Sequence, residues 1–240
     1  MANDRDIAAL YAKHQIEGTM IIASLDGQEK YIHNKKRAQQ QLIPASTFKI
    51  LNTLIALEEQ IIQDENVVIK WDGKDKGWAQ WNQDQNLATA FSHSCVWCYQ
   101  EFAQQIGNQL YLEYFKKLSY GNQKTGPVLS TFWLDGDLAI SPKQQIDFLK
   151  QVYLEQLPFK TQHIQLLKKI MLVEETPSYT LWAKTGWATG INVQHGWYVG
   201  YVEVRGKVWF FANNILIKSK SDLKLRQQLL MEALKLKKII

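Results

Sequence analysis

The sequence predicts an α+β fold, with an antiparallel sheet built from both chain ends, flanked by terminal helices and interrupted by an inserted, mainly helical lobe. Apolar residues alternate with a period of two near both ends, in "TMIIASLDGQEKYIHN" and again after Pro177. Through the middle they recur every three or four positions instead. Strands separated by so long an insertion bury their apolar faces most simply in one shared sheet. The composition, 46% apolar and 21% charged over 240 residues, is that of a folded globule with a substantial core.

Asp4 to His14 has the Ala/Leu/Tyr spacing of a short amphipathic helix, which Gly18 ends. Two strands then surround the Asp26-Gly27 turn. The run "IPASTFKILNTLIALEE", Ile43 to Glu59, carries Ile50, Leu54 and Leu57 at helical spacing, continued by Ile61, and tolerates Pro44 near its start. From about Gln60 to Leu172 the pattern is helical, broken by loops such as "KWDGKDKGWAQW" and "WLDGDLAISPK". Ser141 followed by Pro142 opens a helix expected to run until Pro158. "SYTLWAKTG", "GWYVGYVEV" and "KVWFFANNILI" read as strands, the last two joined at Arg205-Gly206. A final helix follows, with Ser221 or Asp222 as its expected cap. We expect one two-lobed domain, 1–240, with a sheet lobe from about 1–42 and 176–240 and a helical lobe of about 43–175. A small-molecule site belongs in the cleft between the lobes.

Several function classes are disfavoured. The net charge is +5, concentrated in Arg205 to Ile240, where nine Lys or Arg face two Asp or Glu; the plain reading is a solvated helix surface. Tryptophans and tyrosines are numerous but fall inside the strands, so nucleic-acid stacking is not expected. No stretch approaches the roughly 18 apolar residues of a membrane span, and the first twenty residues lack the apolar run of a secretion leader. Cys95 and Cys98 form a C-x-x-C, for which structural packing is favoured over a disulfide or half a metal site. His14, His33, His93, His163 and His195 show no metal-ligand spacing, and no metal is expected.

Ser46 and Lys49, three apart on a helix, lie on one face. An amine can take a proton from a hydroxyl only if its pKa falls well below about 10.4, and apolar neighbours such as Phe48, Ile50 and Leu51 would lower it. A second S-x-x-K, Ser221 to Lys224, is explained by capping and solvation. Lys-Thr-Gly occurs at 124–126, in a loop, and at 184–186, where it ends an apolar strand. Only the second has a rigid mount, and its glycine would admit a substrate close to the backbone.

In order, "STFK" at Ser46, "SCV" at Ser94, "YGN" at Tyr120, "WLDG" at Trp133 and "KTG" at Lys184 resemble the signature of the class D (oxacillinase-type) serine beta-lactamases, members of the penicillin-recognising enzyme superfamily. The resemblance runs from about Ser24 to Arg226. It implies hydrolysis of beta-lactams through a serine acyl-enzyme, conferring resistance to penicillins. Ser46 would be the nucleophile, and Lys49, N-carboxylated by carbon dioxide, the general base. It further implies that Trp133 holds the carbamate, that Val96 and Leu134 limit water access to it, and that Ser94 and Lys184 pass a proton to the departing nitrogen. The backbone N–H groups of Ser46 and Trp187 would form the oxyanion hole beside Gly186. Thr185 and Arg226 would bind the substrate carboxylate, with Trp81 at the cleft mouth. No cofactor beyond carbon dioxide is implied, and the chain is expected as a monomer or homodimer, periplasmic or secreted when mature.

One departure concerns the loop Gly190 to His195, where substrate preference is expected to be set. The nearest branch, some of whose members hydrolyse carbapenems, tends to carry arginine where Gly190 stands. The competing reading is a beta-lactam sensor domain that stays acylated, against which Val96 and the lack of a spanning segment weigh.

Overall fold

The computed structural model describes residues 3–240. Six antiparallel strands form one sheet: β1 (Gly18–Ser24), β2 (Lys30–His33), β3 (Leu172–Glu175), β4 (Thr180–Ala188), β5 (His195–Val204) and β6 (Lys207–Leu216). Their spatial order is β2-β1-β6-β5-β4-β3, so the N-terminal hairpin pairs directly with the last strand. The β5–β6 hairpin closes at Arg205 and Gly206, both with positive φ, as a two-residue turn requires.

Helix α1 (Arg5–Lys13) starts at Asp4, whose side chain accepts from the Ile7 N–H, and packs with α9 (Leu225–Leu236) on one face of the sheet. Ile7, Tyr11, Leu229 and Leu230 there meet Met20, Ile22, Phe211 and Ile215. The other face, with Ile21, Trp197, Val199, Tyr201, Phe210 and Ala212, is covered by the inserted helices. These are α3 (Lys49–Glu58), α4 (Leu87–Ser92), α5 (Val96–Ile106), α6 (Asn108–Leu118), α7 (Pro142–Tyr153) and α8 (Thr161–Met171), while the short α2 (Lys35–Ala38) links β2 to the insertion. Among the described residues no helix is long and apolar enough to cross a membrane.

Four expectations change. A period of two predicts one buried and one exposed side for each strand, but β5 and β6 are buried at nearly every position because helices cover both faces. The sixth strand, β3, carries no period of two because all four of its residues are exposed at the sheet edge. The helix opened by Ser141 has Pro142 in its first turn as expected, and a capping box with Gln144, but ends at Tyr153, five residues before Pro158. Ser219, rather than Ser221 or Asp222, is the N-cap at this end of the chain: it precedes a 3-10 turn, Lys220–Lys224, that runs into α9, and Asp222 accepts from its backbone N–H.

Phe48 is the aromatic hub of the helical lobe. It is fully buried, with Tyr111, Phe115, Tyr120, Phe132 and Trp133 at ring-centroid distances of 5.3 to 6.0 Å. Phe48→Ala should therefore destabilise the fold by about 3–5 kcal/mol, the usual cost of emptying an aromatic core site. A urea midpoint within error of the parent, at unchanged slope, would contradict this packing.

Candidate active site

Ser46 sits in a 3-10 turn, Ala45–Phe48, that runs into α3, and Lys49 is the first residue of that helix. A 3-10 turn has about three residues per turn, so positions three apart such as Ser46 and Lys49 fall on the same side. The turn is held from outside. Ile43 C=O accepts from Trp197 Nε1 and lies 2.9 Å from His195 Nε2, while Thr47 Oγ1 donates to Pro44 C=O at 2.7 Å and accepts from the buried Gln145 Nε2 at 2.8 Å. Gly186 on β4 completes the clamp. A Cβ there would stand 3.1 Å from Pro44 O and 3.3 Å from Thr47 N, so glycine lets the strand lie directly against the nucleophile's turn.

Lys49 is 0% exposed, its Nζ has no hydrogen-bond partner, and it stands 4.2 Å from the centre of the Tyr99 ring. Burial, and then the charge of Lys184, hold its pKa well below the ordinary lysine value. No carboxylate among the described residues pairs with it. Trp133 is also 0% exposed, packs against Phe48, and its Nε1–H likewise finds no acceptor. Other buried polar atoms also lack partners, Asn52 Nδ2 and Tyr120 Oη among them, but of these donors Lys49 Nζ is the one that carries a charge when protonated and so has the most to lose by burial. An anionic group carried on Nζ would present acceptors to the indole and remove the amine from its apolar surroundings, so these residues fit a carboxylated lysine. The segment bearing Trp133 is itself tied down, for Asn122 of the "YGN" triplet donates to Asp137 C=O and accepts from the Ala139 N–H.

The opposite wall is cationic. Lys184 is 3% exposed, and its Nζ donates to Ser94 Oγ at 2.5 Å and to Thr185 C=O at 3.2 Å. Burial, and then Arg226, lower its pKa to about 7. Arg226 donates to Leu223 C=O and Gly186 C=O, both at 2.8 Å, and has no carboxylate partner among the described residues. It is half-buried at the cleft rather than snorkelling at the rim. Its aliphatic stem passes over β5 at Gly196, where a Cβ would lie 2.6 Å from its Cδ.

These walls enclose a cleft of about 730 Å³ lined by Ser46, Trp81, Ser94, Val96, Leu134, Thr185, Gly186, Trp187 and Arg226, among others. Nine of the twelve residues singled out in the sequence line this cleft, and the buried Lys184 is bonded to one of them, Ser94; Lys49 and Trp133 are buried and do not line it. Trp81 Nε1 donates to His93 C=O at 2.9 Å, which fixes its ring at the mouth beside the exposed Trp78. Sequence reasoning missed Tyr99, Gln145, Trp197 and His195; the last two stand at i and i+2 of β5, and that spacing was the only signal. His195 belongs to the strand and is buried, which shortens the substrate-facing loop to Gly190–Gln194. Cys95 and Cys98, expected as simple packing, are joined in a disulfide; Cys95 caps α5, so the first turn brings the two sulfurs together. Among the described residues no group of three or more His, Cys, Asp or Glu is arranged to hold a metal ion.

A family model described as the penicillin binding protein transpeptidase domain matches residues 14–235. Beta-lactamase OXA-48 of Klebsiella pneumoniae is 41% identical over 232 residues, covering 97% of this chain and 88% of that protein. Among solved structures, the class D beta-lactamase FUS-1 (OXA-85) of Fusobacterium nucleatum superposes with a TM-score of 0.96 at 32% identity over 100% of both chains. The class D enzyme YbXI from Nostoc gives 0.93 at 39% identity, covering 95% of this chain and 97% of that one. The chain belongs to the class D serine beta-lactamases of the penicillin-recognising superfamily. It is a beta-lactam hydrolase that works through a serine acyl-enzyme with a carboxylated lysine, as its class does.

The lowered pKa of Lys184 has a thermodynamic consequence. Between about pH 7 and its unfolded value of 10.5 the unfolded chain binds more protons at this residue than the folded one. Its contribution therefore makes the fold more stable as pH rises through that window, and it is a cost below it. Urea midpoints should show Lys184→Met gaining on the parent at pH 6 and losing that advantage towards pH 10; a pH-independent difference would contradict the buried, weakly basic amine.

Proposed function

We propose that Ser46 is the nucleophile acylated by penicillins and that Lys49, carboxylated by carbon dioxide, is the general base of both half-reactions. The observation that carries this reading is the pair of buried, unpartnered donors, Lys49 Nζ and Trp133 Nε1. When bound at Nζ, carbon dioxide supplies an anionic base beside the hydroxyl, with Trp133 donating to it. Val96 and Leu134, apolar residues of the cleft lining, are the side chains we assign to restricting water there.

As Ser46 Oγ adds to the lactam carbonyl, negative charge develops on the carbonyl oxygen. The N–H groups of Ser46 and Trp187 are the donors we assign to it, supported by the contact of β4 with the nucleophile's turn at Gly186. The C–N bond then breaks and the nitrogen takes a proton from Ser94 Oγ, which Lys184 Nζ replenishes across their 2.5 Å hydrogen bond. Arg226 and the Thr185 hydroxyl receive the substrate carboxylate; a guanidinium without an acidic partner suits that role. Trp81 forms an aromatic wall at the mouth. Gly190, whose Cβ position would lie 3.1 Å from Asp135 Cβ, leaves this part of the rim without a cation, and we assign penicillins rather than carbapenems as the preferred substrates. The disulfide supports maturation in an oxidising compartment, the periplasm or outside the cell.

Intact-protein mass spectrometry with a penicillin tests the assignment. Ser46→Ala should form no adduct and turn over at background. Lys49→Ala should acylate slowly and then hold the adduct, because the base for hydrolysis is gone. Rapid adduct release from Lys49→Ala, or an adduct on Ser46→Ala, would overturn the roles.

A further inference from the structure

The Cys95–Cys98 disulfide lies inside the catalytic wall, and nothing in the reaction as described uses it. Ser94 and Val96, the two cleft-lining residues of this stretch, flank Cys95. Ser94 sits on the short link between α4 and α5 with φ 55, a backbone conformation that non-glycine residues avoid. Local backbone bonds hold this link on one side, from the Ser94 N–H to Phe91 C=O at 3.1 Å and from the Cys95 N–H to Ala90 C=O at 2.9 Å. On the other side, the covalent anchor is the bridge to Cys98 in the first turn of α5. Both cysteines are fully buried in the main core, so the bridge ties the link to a rigid body rather than to a surface turn.

A loop closed over so few residues removes little freedom from the unfolded chain, so such a bridge contributes little to global stability. Its effect is local: it restricts a residue that has to present its hydroxyl to Lys184 Nζ at 2.5 Å. Tyr99, one residue past Cys98, has its own anchor, a 2.7 Å hydrogen bond between its hydroxyl and Thr53 Oγ1. The ring beneath Lys49 is therefore held without the bridge.

We propose that the Cys95–Cys98 disulfide is a positioning element for Ser94, needed for proton delivery to the leaving nitrogen during acylation and dispensable for hydrolysis of the acyl-enzyme. The proposal rests on the roles assigned above to Ser46, Ser94 and Lys184.

Single-turnover kinetics with a penicillin, in which acylation and deacylation are resolved separately, tests it on the parent, Cys95→Ala/Cys98→Ala and Cys95→Ser/Cys98→Ala. The second variant keeps a good helix cap without the bridge. Both should acylate about tenfold more slowly, deacylate within about twofold of the parent and keep a melting temperature within a few degrees. The parent treated with a water-soluble phosphine in mild denaturant and returned to buffer should behave in the same way. There the phosphine gives two electrons to the S–S bond and takes the oxygen of water as its oxide, and the two protons of that water complete the thiols. Reoxidation should restore the parent rate. Acylation at the parent rate in reduced protein, full recovery in the Cys95→Ser variant, or equal slowing of both steps would overturn the proposal. Failure of the oxidised parent to form an adduct on Ser46 would instead strike the assigned nucleophile.

Discussion

A lysine side chain enclosed without solvent, counter-charge or hydrogen-bond partner is the constraint on which the site is built. An ammonium ion in such a place would bear a desolvation cost that its neighbours cannot offset, so Lys49 is driven towards the neutral amine. Neutrality is what the chemistry requires, because only a free amine adds to carbon dioxide. Carboxylated as proposed, the side chain would become an anion in the same pocket and would offer the unpartnered Trp133 N–H an acceptor. On this reading one modification answers two of the buried donors that lack partners, the amine and the indole.

The rest of the fold holds that pocket beside the nucleophile. The sheet does so through β5, where His195 and Trp197 meet the Ile43 carbonyl, and through β4, where Gly186 lets the strand lie against the turn carrying Ser46. The helical lobe does so through Phe48 and its ring of aromatics, and through Gln145 on α7. Basic groups are divided between the two walls: Lys49 on the helix of the nucleophile, and Lys184 and Arg226 on the strand side, each lowered in pKa by burial. The stability cost of buried basic groups is tolerated where it keeps one amine able to give and take protons near neutral pH.

Much of this was legible in the sequence because it is written in periodicity and in short motifs. The amphipathic α1, the Arg205-Gly206 hairpin and the Ser141-Pro142 helix start all depend on neighbouring residues. β3 was not legible, since an edge strand exposed at all four positions has no alternation to read. Nor was the full burial of β5 and β6, which depends on helices from distant parts of the chain packing on both faces. The twelve site residues could be named from motifs, but their supports could not. Tyr99 under Lys49, Gln145 on Thr47 and the disulfide beside Ser94 arise from contacts or bonding that no local pattern announces.

The central claim is that burial keeps the unmodified Lys49 amine uncharged, so that it takes up carbon dioxide and stands as a carbamate in the folded enzyme. Carbon-13 NMR of the protein equilibrated with labelled bicarbonate near neutral pH tests it directly. A single carbamate resonance is predicted, absent in Lys49→Ala and weakened in Trp133→Phe, where the indole donor is lost. A spectrum without that resonance, together with a Lys49 side chain titrating near the ordinary lysine value of 10.5, would contradict the account.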